Sequence, residues 1–291
     1  MPRALSPDFA ATNPAHDASD PLRVVHMCQI CPTCNHELQG HRCKLVCTHC
    51  GYYMSCADYY TSREHVRELC DWFRSNAVKP YSMHAPMFPD YEMGRAGAPA
   101  VNVIHPEKSR RIDAMDEIKR ALEAAEQIPF QHLIVHLGER EDGWSQRTID
   151  NALTALEHLG AFARALGVKL LVENLTNAAT TPEHLMTILD LGHLDNVGVC
   201  LDLGHANITV GIPEAIGVLG ARIQSLHVHD NHGMKDEHLW PGEGGIDWPT
   251  TAKLLHELPH PPAAVLEIAT LPGEAPIDLH AHMQRAYEKL S

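Results

Sequence analysis

Basic residues are scarce in this 291-residue chain: 23 Lys and Arg stand against 37 Asp and Glu, a formal net charge of −14. A general nucleic-acid binder needs a basic footprint to offset phosphate charge, so a nucleic-acid partner is disfavoured. No basic, aromatic-studded loop able to hold a kinked duplex is present either. No apolar run is long enough to span a bilayer, which argues against a membrane partner. The N-terminus has no apolar h-region, and the expectation is a cytoplasmic protein. No Gly-rich phosphate turn of the dinucleotide-binding kind is found. Histidine, by contrast, is abundant, with 22 residues. Neutral imidazole is the commonest metal ligand, so metal chemistry is the first class to weigh.

The nine cysteines are mostly gathered in CxxC pairs, which in a cytosolic chain favours metal over disulfides. Residues 1–25, rich in Pro, Ala, Asp and Ser without apolar period, read as a disordered tail. Residues 26–57 follow as a Cys-rich segment containing Cys28, Cys31-Pro-Thr-Cys34, Cys43 and Cys47-Thr-His-Cys50-Gly51. Four thiolates from Cys31, Cys34, Cys47 and Cys50, in two tight knuckles, suit a closed tetrahedral Zn2+ site. Pro32 and Gly51 help each knuckle turn, and Cys28 and Cys43 are spare thiols. The segment resembles a zinc ribbon.

Residues 58–291 alternate between two periodicities. Thr61-Ser-Arg-Glu64 is a capping box opening a helix with Val66, Leu69, Cys70 and Phe73 on one face. Strand-like runs follow at Val78–Ala85, His132–Gly138, Val168–Leu175, Val197–His205, Ile223–Asn231 and Ala263–Ala269. Helical patterns separate them: Ser109–Gln127 with Ile112, Met115, Ile118 and Leu122 inward, Gln146–Leu166 closed by Gly167, and Pro182–Leu191 after Thr181. Pro213–Leu219, Trp248–Leu258 and about Ile277–Leu290 complete the set, with a long polar loop over Gly233–Asp247. Strands alternating with helices imply parallel pairing and right-handed crossovers.

Each strand-like run carries a potential ligand toward its C-terminal end: His84, His136, Glu173, Asp202, His227 and Glu267. A barrel gathers all such ends on one face, whereas an open doubly wound sheet spreads them along an edge. One of these runs, Val197-Gly-Val-Cys-Leu-Asp-Leu-Gly-His205, is an apolar strand expected to give way to a loop at Asp202 and His205. An Asp that merely caps the next helix accounts for that run equally well. Six strands ending this way favour convergence on a divalent ion, for which mixed imidazole and carboxylate ligands suit Zn2+, Mn2+ or Co2+.

Several runs carry a resemblance: Ser82-Met-His-Ala-Pro86, Val172-Glu-Asn174, Val199-Cys-Leu-Asp-Leu-Gly-His-Ala206, Leu226-His-Val-His-Asp-Asn231, Asp236-Glu-His238 and Pro241-Gly-Glu-Gly-Gly-Ile-Asp-Trp248. With Val135-His136 and Leu266-Glu267, they resemble the xylose isomerase-like TIM barrels, which include sugar isomerases and epimerases and also endonuclease IV. The epimerase branch implies one divalent ion on Glu173, Asp202, His227 and Glu267. The endonuclease branch implies three zinc ions, adding His84, His136, His205, Asp236 and His238. The Pro-Gly-Glu-Gly-Gly-Ile-Asp-Trp run looks like the epimerase side. The fold class expected is therefore an α/β, (β/α) TIM barrel of this type, lacking its first two βα units because the Cys-rich segment occupies their place. Residues near Tyr52–Tyr60 supply at most one more strand.

A metal-dependent sugar or sugar phosphate isomerase or epimerase is the expected activity. Glu173 and Glu267 would exchange the substrate proton, with His229 and Asn174 read as substrate-binding, His229 through a hydroxyl. An endonuclease IV-like phosphodiesterase acting on abasic DNA, and a non-catalytic truncated barrel that binds metal or a partner, are the alternatives. A homo-oligomer is left open.

Overall fold

In the computed structural model the described residues are 39–40, 44–46, 49, 53–55, 63–88, 99–269 and 278–290. Three short strands come first: β1 (Gln39–Gly40), β2 (Lys44–Val46) and β3 (Tyr53–Ser55), paired antiparallel in that order. Tyr53–Ser55 thus pairs with β2, and does not extend the parallel sheet described next. Cys28, Cys31, Cys34, Cys43, Cys47, Cys50, the expected tail, Thr61 and Ser62 lie outside the described residues.

Helix α1 (Arg63–Ser75) leads into a six-stranded parallel sheet of β4 (Ser82–His84), β5 (His132–Val135), β6 (Lys169–Glu173), β7 (Gly198–Asp202), β8 (Ile223–Val228) and β9 (Ala263–Leu266). The spatial order is the sequence order. Helices α2 (Lys108–Glu123), α3 (Gln146–Ala165), α4 (Pro182–Leu191), α5 (Leu203–Ile208), α6 (Ile212–Leu219), α7 (Trp248–His256) and α8 (Leu279–Leu290) complete the set. Among the described residues, six strands in sequential parallel order make three quarters of a (β/α)8 barrel, the partial barrel expected from the sequence.

The sheet is curled. Neighbouring strands lie about 4.8 Å apart, which would put β4 and β8 roughly 19 Å apart in a flat sheet. Yet Tyr81, just before β4, donates from its hydroxyl to the Gln224 carbonyl in β8 at 3.1 Å. At the other end the His84 and His227 rings lie 6.0 Å apart, centroid to centroid. The curl turns alternate residues onto two surfaces. Leu133, Val135, Leu170, Val172, Val199, Leu201, Leu226 and Val228 join a core with Leu122, Leu156, Ile188 and Leu219 of the surrounding helices. Ile134, Leu171 and Cys200 form a separate small apolar group on the inner side. Burying each large aliphatic side chain contributes about 1.5–3 kcal/mol, so the outer layer carries most of the stability.

Local chemistry fixes the helix ends. Ser145, Thr181 and Asp247 each accept a backbone N–H three residues on, at 3.2, 3.3 and 3.2 Å. Gly167 closes α3 at φ +73°, where the Val168 N–H returns to the Ala163 carbonyl.

The structure corrects several boundaries. Ile112 is 43% exposed, because α2 buries the stripe Ala114, Ile118, Ala121 and Leu122, and Ile112 lies two residues off that phase. The strand expected over Val78–Ala85 is confined to Ser82–His84. No loop follows Asp202; α5 starts at once with Asp202 as its cap. The strand expected to reach Asn231 ends at Val228, and the one expected to reach Ala269 ends at Leu266.

Candidate metal centre

The inward register continues to the C-terminal ends of the strands, where the small apolar group gives way to charge. His84, Glu173 and Asp202 are the last residues of β4, β6 and β7, and His227 is the penultimate residue of β8. His136 and Glu267 each follow their strand by one residue. The curl brings these six side chains together.

Glu173, Asp202, His227 and Glu267 offer ligand atoms that all lie within 4.8 Å of one another. His227 Nδ1 is 3.2 Å from Glu173 Oε1, 3.1 Å from Glu267 Oε2 and 4.0 Å from Asp202 Oδ2. That nitrogen is buried and aligned for a hydrogen bond with none of them. Glu173 also faces a second group. Its Oε2 is 3.2 Å from His136 Nε2 and 3.4 Å from His84 Nε2, and the two imidazole nitrogens are 3.1 Å apart. Nearer the rim, Asp236 Oδ2 lies 3.3 Å from His205 Nε2 and 3.0 Å from His238 Nε2.

The tautomers follow from the backbone. The Nδ1 atoms of His84, His205 and His238 lie 2.8, 2.9 and 2.7 Å from the carbonyls of Ala85, Asn174 and Glu267. A carbonyl only accepts, so each Nδ1 carries the proton and donates. In the neutral rings each Nε2 then turns a lone pair toward carboxylates or another imidazole nitrogen. Such an arrangement is costly unless a proton or a cation lies between the partners. With the carboxylates beside them these imidazoles belong to separate groups at metal-ligand reach, each a donor set that suits a divalent ion such as Zn2+, Mn2+ or Co2+. They form a candidate divalent-metal cluster.

The electrostatics agree. Burial works to raise the Glu173 carboxyl, but His227 and His136 beside it hold it well below its ordinary value. Burial opposes charge on His205, yet Asp202, Asp236 and Glu173 raise it to about 10. Against the same opposition, Asp236 and the Glu267 carbonyl raise His238 to about 9. His136 is the exception, lowered chiefly by burial. The cluster is a sink for positive charge.

Asn174 and His229, expected to bind substrate, are both buried and hydrogen-bonded to Asp202. Asn174 is buried, and both ends of its amide are engaged by the Asp202 backbone: Oδ1 accepts the Asp202 N–H at 2.7 Å and Nδ2 donates to its carbonyl at 3.0 Å. It ties β6 to β7. His229 is also fully buried, with Nε2 at 3.1 and 3.2 Å from the two Asp202 oxygens.

Asp230, within Leu226-His-Val-His-Asp-Asn231, has a role that the motif does not reveal. Its Oδ1 accepts the N–H groups of Asn231 and Ile246, and its Oδ2 accepts those of Gly242 and the Trp248 indole. One buried carboxylate therefore pins the whole Gly242–Trp248 loop over the rim. Its sequence signal is the Asp after His-Val-His, paired with a later Gly-rich run that offers donors.

Comparison with known proteins agrees with this architecture. The sequence profile described as "Xylose isomerase-like TIM barrel" matches residues 58–287. "Uncharacterized protein MJ1311" of Methanocaldococcus jannaschii is 34% identical over 152 residues, covering 48% of this chain and 52% of that protein. "Probable endonuclease 4" of Haloarcula marismortui is 28% identical over 166 residues, covering 50% and 58%. The chain thus spans a little over half the length of these curated relatives. Among solved structures, a "D-tagatose 3-epimerase-like protein" is 26% identical with TM-score 0.61, covering 79% of this chain and 86% of the other. A D-psicose 3-epimerase, determined in the presence of D-fructose, has TM-score 0.62 at 16% identity, covering 80% and 83%, and speaks for the fold alone. The profile match extends from just before α1 into α8, and the chain belongs to the xylose isomerase-like TIM-barrel family.

Proposed function

We propose that the protein is a metal-dependent isomerase or epimerase of a sugar or sugar phosphate. The observation that carries this reading is the convergence of Glu173, Asp202, His227 and Glu267 within 4.8 Å at the strand ends. The likeness to the D-tagatose 3-epimerase-like protein supports it. A bound divalent ion supplies Lewis-acid polarisation of a carbonyl and its neighbouring hydroxyl, which acidifies the C–H between them.

The residues supply the proton traffic. Glu267, with its side chain 39% exposed, is the carboxylate an incoming substrate meets first. Glu173 is buried and anionic, held by His136 and His227. One carboxylate removes the proton and the other returns it. The protein should incorporate solvent deuterium into a ketose, and Glu267→Gln should lose exchange by ~10²–10⁴-fold while the fold persists. Absence of exchange across a broad sugar panel defeats the reading.

A second reading rests on the His84–His136–Glu173 group and on the rim group at Asp236, with the endonuclease 4 relatives beside it. It requires three ions in the barrel and cleavage of abasic DNA. The net charge of −14 disfavours it. Metal counting separates the two, after one zinc is subtracted for Cys31, Cys34, Cys47 and Cys50. That zinc is proposed from their spacing alone, and Cys31→Ser/Cys47→Ser should remove it.

A further inference from the structure

His229 presents an unusual accounting problem. Its side chain has no exposed surface, its Nδ1 has no hydrogen-bond partner, and its Nε2 faces the Asp202 carboxylate. If the proton sat on Nδ1, a buried donor would go unsatisfied and the Nε2 lone pair would face an anion. With the proton on Nε2, the donor is satisfied by a carboxylate and only an acceptor is left over, which is the cheaper arrangement. His229 is therefore a donor to Asp202.

The ring is held on two sides, and its nitrogens also lie within ligand reach of His205, Asp236 and His238. His238 stacks on it with centroids 4.1 Å apart and planes 16° from parallel. Gly204 lies against it, and a Cβ at position 204 would run into the His229 Cε1 and ring nitrogens. This is the physical reason for glycine in Asp202-Leu-Gly-His205.

The Asp202 backbone is already fixed by Asn174, so only its carboxylate rotation remains free. Oδ1 receives two donors, the His205 N–H at 2.6 Å and His229 Nε2 at 3.1 Å. Oδ2 shares the His229 proton at 3.2 Å and is the oxygen facing His227, 4.0 Å away. We propose that His229 is a positioning residue: clamped between Gly204 and His238, it sets the rotation of Asp202 so that Oδ2 is offered to the cation held with Glu173, His227 and Glu267. This rests on the metal-centre reading above and assigns His229 to neither the substrate nor the ion.

Mn2+ is a suitable probe because it has little affinity for thiolates, leaving the cysteines silent. Titrating the full chain with Mn2+, followed by electron paramagnetic resonance of free and bound ion, gives affinity, stoichiometry and the symmetry of the bound site. His229→Leu should weaken binding about 10–100-fold, as loss of a partner that orients a ligand does, and should alter the bound spectrum. His229→Gln returns a donor to the Nε2 position and should stay within about threefold of the parent on the same scale. His229→Asn places its donor at the Nδ1 position and should bind as weakly as the Leu variant. If His229→Leu fails to fold, the Gln–Asn contrast alone decides, since both are polar and neither fills the site better than histidine. Equal binding by the parent and His229→Leu, or by the Gln and Asn variants, overturns the role. Loss of one whole equivalent of Mn2+ on substitution makes His229 a ligand and also overturns it. No Mn2+ binding by the parent chain overturns the metal-centre reading itself.

Discussion

The two surfaces of the parallel sheet differ by one residue of register and by everything else. Outward, Leu170, Val172, Val199 and Leu201 are at most 1% exposed and belong to the hydrophobic core shared with the helices. Inward, Leu171 and Cys200 are equally buried, but the next inward positions are Glu173 and Asp202. Val172 and Glu173 are neighbours in sequence and belong to different physical regimes. The outer surface draws its energy from apolar area, which many aliphatic combinations supply. The inner end draws its function from a few atoms whose positions must hold to about 0.5 Å. On the inner surface Cys200 stays a neutral thiol in character, pushed up to about 11, foremost by burial.

The sharpest break of this contrast is Glu173→Gln. Glu173 is the one carboxylate shared by the His84–His136 group and the His227–Glu267 group. Its amide cannot balance the imidazoles of His84, His136, His205 and His227, so any divalent ion held by either group should be lost and turnover should fall by ~10²–10⁴-fold or more. Far-ultraviolet circular dichroism should be unchanged. Retention of the full ion content by this variant would mean that the two groups do not depend on Glu173.

The outer counterpart is Leu201→Ala. Leu201 is fully buried and adjoins Asp202. Removing it should cost about 2–5 kcal/mol of stability, read by chemical denaturation. The folded fraction should still bind its divalent ion in full. A large change in ion affinity with little loss of stability would show that the two surfaces are not separable.

How legible all this was in the sequence follows the same division. Alternation of strand and helix patterns, and ligand types at six strand ends, gave the partial barrel and the residues that meet, because both depend on period and spacing. The apolar run ending at Asp202 shows the limit. It reads equally well as a helix cap or as a ligand, and in the structure Asp202 caps α5 through the His205 N–H while facing His227. A pattern cannot separate two readings that one side chain satisfies at once, capping a helix and facing His227. Ile112 was misplaced because the true stripe of α2 uses alanines, which carry little hydrophobic signal. Asp230 went unassigned because its four donors come from positions up to 18 residues away, and only the folded loop brings them to one carboxylate.

The mildest test compares two glycines, one serving each surface. Gly244 lies in the loop pinned by Asp230, and a Cβ there would strike the Asp230 Oδ1 and come within 2.7 Å of the Asn231 backbone. Gly244→Ala should cost about 1–3 kcal/mol by overpacking, and should weaken ion binding because the Asp230–Asn231 segment directly follows His229. Gly167 ends α3 on the helical side, at φ +73°, with open space around the missing Cβ. Gly167→Ala should cost only about 1 kcal/mol, the penalty of a left-handed backbone for a residue bearing a Cβ. It should leave ion affinity untouched. Gly167→Asn should recover part of that loss, since asparagine tolerates this conformation, whereas Gly244→Asn should be worse than Gly244→Ala because space is what position 244 lacks. Thermal melting of the four variants, with and without divalent ion, decides. If asparagine rescues position 244, or fails at 167, strain and crowding have been assigned to the wrong glycines.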